Sequence, residues 1–413
     1  MPIGWIDFSN SDREKVSTIL DILGEKATLD ELGIAPIRDG FADIFFPGTT
    51  TIQTRAKYFF LVPYELRDLE LGNETGIESL MNSLRKSERD TGKALYEQDQ
   101  SERSGVIGRR ILAGGGNNWV KRTPAEIYWV GLRRYGIFRL GNRSLTEYLN
   151  LMSRQKLSRE NVLSLGNRND NKEERDDIDA GDVKRMHFWN MPLYSGKEKW
   201  RKTLTMKLTN DEATFLKRQI HLTCPDTMMD FLLQNNLKDV IQKCGSFKDL
   251  EKCKNQLDQL NQFPERIWQD YELAVSFSKF VYLLRILYNR ICRQETYEPA
   301  EEKWRKYQAD IIPFSKALDL DSIFARLGLL KQGRSRKLYN FLKRCQQAFL
   351  QERIDIVEEE IRKREQDLKR KERSRTCNPV PGDVQEWFTG GFLDYRYDNA
   401  KKIMEDIFES EAE

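Results

Sequence analysis

The stretch that decides the fold is ERIWQDYELAVSFSKFVYLLRILYNRICR, residues 265–293. Its apolar residues recur at spacings of three and four, which places them on one face of an α-helix. Pro264 stands directly before the run, and proline favours the start of a helix. Lys279, Arg285 and Arg290 interrupt the apolar run, which is too charged for a membrane span. The pattern predicts a long helix in the centre of the core and excludes a transmembrane helix here.

Capping signals predict helices on both sides of this segment. Thr123 and Thr209 are each followed by glutamate three residues later, and Ser144 has the same spacing to its glutamate. In a capping box the hydroxyl and the carboxylate each accept a hydrogen bond from a backbone N–H at the start of a helix. Three helices are therefore predicted to begin directly after these residues.

The remaining patterns are also mostly helical. FPGTTTIQTRAKYFFLVPY, residues 46–64, predicts a helix that stops near Pro63, and LTMKL, residues 204–208, alternates like a short strand. Further helices are predicted to begin near Pro225 and to cover residues 335–373, a long basic helix, and residues 395–408. The fold class that follows is mainly α-helical with minor β-structure, an α+β protein.

Composition divides the chain into three sections. Residues 1–164 are rich in glycine, proline and aromatic side chains, whereas residues 165–184 contain many charges and few apolar residues. A segment of that composition does not bury enough apolar surface to offset the entropy of ordering. We therefore predict a flexible linker at residues 165–184, between an N-terminal domain and a mainly helical domain of residues 185–413.

Bulk composition removes several classes of function. Lys and Arg number 68 and Asp and Glu 65 in 413 residues, so the net charge of +3 does not indicate a general polycation. The two histidines, His187 and His221, are too few for histidine-rich metal sites. The sequence has no P-loop, no dinucleotide fingerprint and no nucleophile elbow. We expect no cofactor and no bound metal. The sequence does not decide whether the protein is an enzyme, and it favours a protein that is not.

Cysteine usage and the N-terminal residues bear on localisation. The six cysteines are dispersed and form no CxxC pair, which is untypical of a zinc ribbon or a disulfide framework. The first 16 residues lack the basic and apolar regions of a signal peptide. These features predict a cytoplasmic protein without a membrane partner.

Positive charge is concentrated between residues 101 and 143, which hold 9 Lys and Arg against 2 Glu, with aromatic residues between them. Cations neutralise phosphates, and aromatic faces accept stacked bases. The pattern predicts contacts with nucleic acid, and two cations of the segment 46–64 are added as auxiliary phosphate contacts. The predicted contact residues are Arg55, Lys57, Arg109, Arg110, Lys121, Arg122, Arg133 and Arg134.

The same region has a second interpretation. A capped helix, a glycine turn and a short extended piece in residues 123–144 are typical of a winged-helix or helix-turn-helix module. The spacing of Ile127, Trp129 and Leu132 is equally typical of a core face. An arginine pair at the end of a helix also complements the helix dipole without any ligand. Both interpretations stay open from the sequence alone.

Carboxylates with one lysine offer an alternative chemistry. Divalent-metal nucleases hold Mg²⁺ with two acids and use a lysine near the attacked phosphate, so they need no histidine. Asp182 with Lys184, and Glu301 with Lys303, have suitable residue types. Such short patterns arise by chance in a chain this rich in charge, so they remain an alternative.

Several blocks of the sequence resemble an uncharacterised prokaryotic family, a domain of unknown function. The blocks are GWIDFS at 4–9, FFPGTTTIQTRAKYFFLVPY at 45–64, KRTPAEIYWVGLRRYGI at 121–137, LTNDEATFLKRQI at 208–220 and LDYRYDNAKKIMEDI at 393–407. The resemblance implies association with anti-phage defence islands, beside helicases and phospholipase-D-like proteins. It supplies no catalytic residues.

The leading hypothesis is a non-catalytic nucleic-acid-binding or adaptor component of a bacterial defence or DNA-processing assembly. Its partners would be nucleic acid and the helicase or nuclease proteins of a defence system. Two alternatives belong to other classes: a divalent-metal nuclease with carboxylates distant in sequence, and a scaffold that binds only proteins.

Overall fold

The computed structural model describes residues 30–115, 119–166, 187–253, 264–331, 333–369, 371–381, 384 and 386–411. These residues are mainly helical, as predicted, and their β-pairing consists of two isolated bridges, Phe138 with Trp189 and Arg293 with Val380. The α-helices are α1 Ala35–Phe45, α2 Tyr58–Leu71, α3 Ile77–Gln98, α4 Arg109–Ala113, α5 Pro124–Arg134, α6 Leu145–Gly166, α7 Lys197–Lys202, α8 Asn210–Thr223, α9 Met228–Gln234, α10 Lys238–Lys243, α11 Glu265–Ile291, α12 Glu298–Tyr307, α13 Ile311–Ala317, α14 Leu320–Arg326, α15 Gly333–Leu350, α16 Ile354–Lys369 and α17 Tyr397–Glu411. Short 3-10 turns lie at Glu102–Ser104, Phe247–Cys253, Gln308–Asp310, Leu329–Lys331 and Lys371–Arg373.

Helix α11 is the central helix that its apolar spacing predicts. It packs against α1, α12, α13, α14 and α16, and most of its side chains are buried. Phe280 on α11 meets Phe349 on α15 edge to face, with ring centroids 5.7 Å apart. No helix among the residues described above is both long and apolar enough to cross a membrane.

The predicted caps are confirmed. Thr123 and Thr209 form complete capping boxes with glutamates three residues on, at the starts of α5 and α8. Ser144 donates its backbone N–H to Glu147 at 2.7 Å and accepts the backbone N–H of Glu147 on its hydroxyl at 3.1 Å. These helix starts are specified locally, which is why the sequence predicts them.

Two predicted helix boundaries and one predicted strand are wrong. Pro63 does not end a helix but lies inside α2, where the burial of residues 58–66 offsets the hydrogen bond that proline cannot make. The helix predicted from Pro225 begins at Met228, because the Thr227 hydroxyl accepts the backbone N–H of Asp230. Residues 204–208 form no strand, since alternation alone does not supply a partner strand.

The long basic helix predicted over residues 335–373 is two helices. The chain turns between α15 and α16 at Glu352, whose φ is 55°. The turn is closed by a hydrogen bond from the Arg353 N–H to the Ala348 carbonyl, at 2.9 Å. Because both helices carry an apolar stripe, folding back on each other buries both stripes, which one straight helix would leave exposed.

The winged-helix expectation is not confirmed. A recognition helix must expose one face to a DNA groove, whereas α5 buries most of its length. Trp129 on α5 is 4% exposed and packs against Phe138 and Trp189, with ring centroids at 4.7 and 6.0 Å. Trp129 is therefore a core residue, and it does not offer a face for base stacking.

Side chains from both sides of the predicted linker share one hydrophobic core. Phe45 on α1 lies 5.0 Å from Phe247, and Phe41 lies 5.7 Å from Tyr395, between ring centroids. Helix α17 packs on α8, α9 and α10. Most of the linker lies outside the described residues, so the division at 165–184 stays a prediction.

Candidate nucleic-acid interface

Lys57 lies inside the protein. Its ammonium group donates to both carboxylate oxygens of Glu212, at 2.6 and 2.9 Å, and both side chains are 6% exposed. Glu212 also closes the capping box of α8. Lys57 therefore joins the start of α2 to α8, and burial removes it from any surface that phosphate reaches.

Arg55 is also engaged within the fold. Its guanidinium contacts the Asp406 carboxylate of α17 at 2.8 Å, and the Ala56 N–H donates to the same carboxylate at 2.7 Å. Burial raises the pKa of Asp406, and the hydrogen bond from Arg55 opposes that rise. Because this arginine holds α17 to the N-terminal section, we exclude Arg55 and Lys57 from the proposed interface.

Three segments meet around Trp119. A Cβ at Gly92 of α3 would lie 2.9 Å from the indole, and one at Gly108, directly before α4, would lie 2.8 Å from it. The two glycines thus leave the space that the indole fills. Gly108 also needs a φ of +81°, a conformation that favours glycine. Trp119 thereby holds the segment leading to α5 against both α3 and α4.

A buried carboxyl fixes the start of α5 on α3. Glu88 accepts the Ala125 N–H at 2.7 Å. Burial raises the pKa of Glu88 well above its usual range, and the neighbouring Glu65 raises it further. Burial likewise raises the pKa of Glu65 to about 8. Each carboxyl is 2% exposed, so the two position helices and are not a solvent-accessible acid–base pair.

Cations of α3 lie on the same side as this junction. Arg85 and Arg89 precede Gly92 by seven and three residues, which places them on the helix stripe that faces Trp119. We define the basic surface as the cations of α3, α4 and the segment before α5 that surround this junction. Its members are Arg85, Arg89, Lys93, Arg109, Arg110, Lys121 and Arg122, of which Arg85, Lys93, Arg110 and Lys121 are exposed.

Nearby acids offset only part of this charge. Glu102 contacts Arg109 at 2.8 Å, and Glu97 lies 4.0 Å from Lys93. Glu126 is exposed, but its carboxylate closes the capping box of α5. Asp90 on α3 is a further exposed acid, so seven cations face four acids and the basic surface keeps a surplus of positive charge.

Arg133 and Arg134 do not lie with the other predicted contacts. They end α5, about 15 Å from its start at the usual rise of a helix. Arg134 is near Asp43 of α1. Burial raises the pKa of Asp43, and the charge of Arg134 opposes that rise. The eight contact residues predicted from sequence thus divide into two that are ion-paired within the fold, Arg55 and Lys57, four members of the basic surface and a distant pair.

The carboxylate alternative gains no supporting geometry. Among the residues that the structure describes, no group of three His, Cys, Asp or Glu side chains could hold a metal ion. Glu301 accepts from Arg290 at 2.7 Å, and Lys303 lies over the ring of Trp387 at 5.4 Å. Asp182 and Lys184 lie outside the described residues.

The fold and this surface define a mainly helical protein with a basic surface at the junction of α3, α4 and α5. Residues 2–181 match a family of unknown function, DUF6361, which agrees with the resemblance to an uncharacterised family. No curated protein and no solved structure matches the chain.

Proposed function

We propose that this protein is a non-catalytic nucleic-acid-binding component of a bacterial defence or DNA-processing assembly. The observation that carries the binding proposal is the contact at Trp119 between three segments that bear cations: α3, the start of α4 and the segment that leads to residues 121–122. Positive charges brought together on one surface neutralise several phosphates and release their counterions. The defence context is supported by the family resemblance alone.

The surface favours recognition of the backbone over recognition of bases. Trp129 is buried and offers no face for stacking, and the ring edge of Trp119 is packed at two glycine positions. Contacts from flexible lysine and arginine side chains to phosphate carry no sequence information. We therefore expect binding that weakens steeply with salt and depends little on sequence.

Fluorescence anisotropy with labelled single-stranded DNA, duplex DNA and RNA across a salt series tests the proposal. The test variant is Arg110→Ala with Lys121→Ala, because both side chains are exposed. Removing two phosphate contacts should lower the slope of log K against log salt by about 2. Arg133→Ala with Arg134→Ala is the matched control, and it should leave the slope unchanged.

The outcomes separate the alternatives. Loss of affinity in the test variant alone supports the basic surface, whereas equal loss in the control would extend the contact along α5. Absence of salt-sensitive binding by folded wild-type protein contradicts the proposal and favours a protein scaffold. Cleavage that requires Mg²⁺ and stops in EDTA would favour the metal nuclease.

A further inference from the structure

A second site is a cleft on the side of α11 that faces α1. Its volume is about 360 Å³, within the usual range for small-molecule sites. Its walls come from the turn before α1, from Arg285 on α11, from Arg375 and from residues 386–390. These segments are distant in sequence, so the cleft exists only in the folded chain.

Arg285 brings a positive charge into this cleft and forms no ion pair among the residues that the structure describes. Its guanidinium donates to the Gly391 carbonyl, and the charge of Asp30 acts on it from beyond ion-pair distance. Burial lowers the pKa of Arg285 to about 10. A guanidinium has five N–H donors, so most of this group's capacity is left for a ligand.

Arg375 supplies a second guanidinium in a fixed orientation. It donates to Glu31 at 2.6 Å and lies over the ring of Phe388, 4.0 Å from its centroid. Glu31 also contacts Lys369, so its charge is shared between two cations. The neighbours of Arg375 therefore fix its side chain in the cleft, and this lowers the entropic cost of binding an anion.

The opposite wall is anchored to α11. Asn289, fully buried, accepts the Phe388 N–H at 2.9 Å and donates to the Phe388 carbonyl at 2.8 Å. Thr389 follows with a φ of 81°, which is strained for a β-branched residue. Such strain persists where the surroundings fix the backbone, and it is concentrated at binding sites. Trp387 beside it adds an aromatic group to the lining.

Three acids line the cleft, of which Glu386 is exposed and the other two are bonded within the protein. Asp30 accepts the Ala35 N–H, and Glu31 is held by Lys369 and Arg375. Arg285 forms no ion pair with any of these acids among the described residues, although the charge of Asp30 acts on it. We propose that this cleft binds a small phosphorylated molecule, with its phosphate held by Arg285 and Arg375 and its organic part beside Trp387. Two guanidinium groups match a multiply charged phosphate, which each can bind with paired N–H donors.

Equilibrium dialysis with inorganic pyrophosphate and with ADP tests this site, and thermal unfolding in the same ligands gives an independent readout. Arg285→Gln should weaken binding about 10- to 100-fold and abolish the rise in Tm, because a hydrogen-bonded charge is lost. Arg266→Gln is the matched control, an exposed arginine at the start of the same helix. If the glutamine variant does not fold, Arg285→Lys keeps the charge, loses the planar fork and should also weaken binding.

Pyrophosphate or ADP binding that Arg285→Gln weakens and Arg266→Gln leaves intact supports the proposal. No binding to wild type, or equal binding by Arg285→Gln, overturns it. Citrate bound as tightly as pyrophosphate would overturn the preference for phosphate. A preference for 5′-phosphorylated over 5′-hydroxyl oligonucleotides, lost in Arg285→Gln without any binding of ADP, would replace the small molecule by a nucleic-acid end.

Discussion

Replacing Lys57 by methionine removes the cation from a buried ion pair and leaves the Glu212 carboxylate uncompensated. The pair joins α2 to α8, and both side chains are 6% exposed, so water does not replace the lost partner. Methionine preserves most of the volume of the lysine stem. The change therefore tests charge and not packing.

The expected cost follows from the burial of the pair. Removal of one member of a buried ion pair typically costs about 3–5 kcal/mol of the free energy of unfolding. Glu212 keeps its hydrogen bond from the Thr209 N–H at 2.9 Å, so we expect the lower end, about 3 kcal/mol. The double variant Lys57→Met with Glu212→Gln removes both charges and preserves this acceptor. It should recover about 1–2 kcal/mol.

Urea unfolding monitored by circular dichroism gives the free energy of unfolding of wild type and both variants. Nucleic-acid binding is measured at a temperature where each protein is folded. A loss of stability with unchanged binding is the expected result. If Lys57→Met stays within about 0.5 kcal/mol of wild type and binding falls, Lys57 is an exposed phosphate contact and the reasoning from burial is refuted.

Three further predictions concern other parts of the fold. Burial raises the pKa of Glu65 from 4.5 to about 8, so between these pH values the folded state binds more protons than the unfolded state, and the contribution of Glu65 to stability falls as pH rises. In urea unfolding across this range, Glu65→Gln should flatten the fall of the free energy of unfolding with pH, which for one group is at most about 1.4 kcal/mol per pH unit. An unchanged slope contradicts this prediction. Gly131→Ala should cost about 1–3 kcal/mol despite the helix preference of alanine, because its Cβ would lie 2.6 Å from the Gly48 carbonyl oxygen. Gly333→Ala, whose Cβ meets nothing, is the control in the same unfolding assay, and equal effects would argue against a clash. Iodoacetamide should modify Cys377 first because the other five cysteines are buried, and peptide mass spectrometry showing equal rates would contradict this.

The sequence predicted the features that depend on neighbouring residues. Capping boxes at Thr123 and Thr209 and the apolar period of α11 act within one helix, so they are visible without tertiary structure. Helix α3 was missed because its inward face includes Glu88, Thr91 and Gly92 in place of apolar residues. The signal that identifies it is the spacing of Leu80, Leu84 and Leu95, which places the three leucines on one helix face.

The candidate site was predictable only in part. Arg109, Arg110, Lys121 and Arg122 lie near each other because Trp119 connects their segments. Lys57, in contrast, pairs with a carboxylate 155 residues away, and no local pattern separates a buried cation from an exposed one. The cleft at Arg285 is built from segments that are even further apart in the sequence. In the sequence, the only visible feature of Arg285 is that it interrupts an apolar run.

The contact between Ala56 and Asp406 has a consequence for biosynthesis. The two residues are 350 positions apart. At about 5–20 residues per second, a ribosome adds Asp406 roughly 20–70 s after Ala56. During that interval the apolar faces of α1 and α8 lack the partners that α17 and the residues before it later provide. We therefore expect chaperones to bind the nascent N-terminal section until α17 is made, and we expect proteases to remove chains truncated before Asp406.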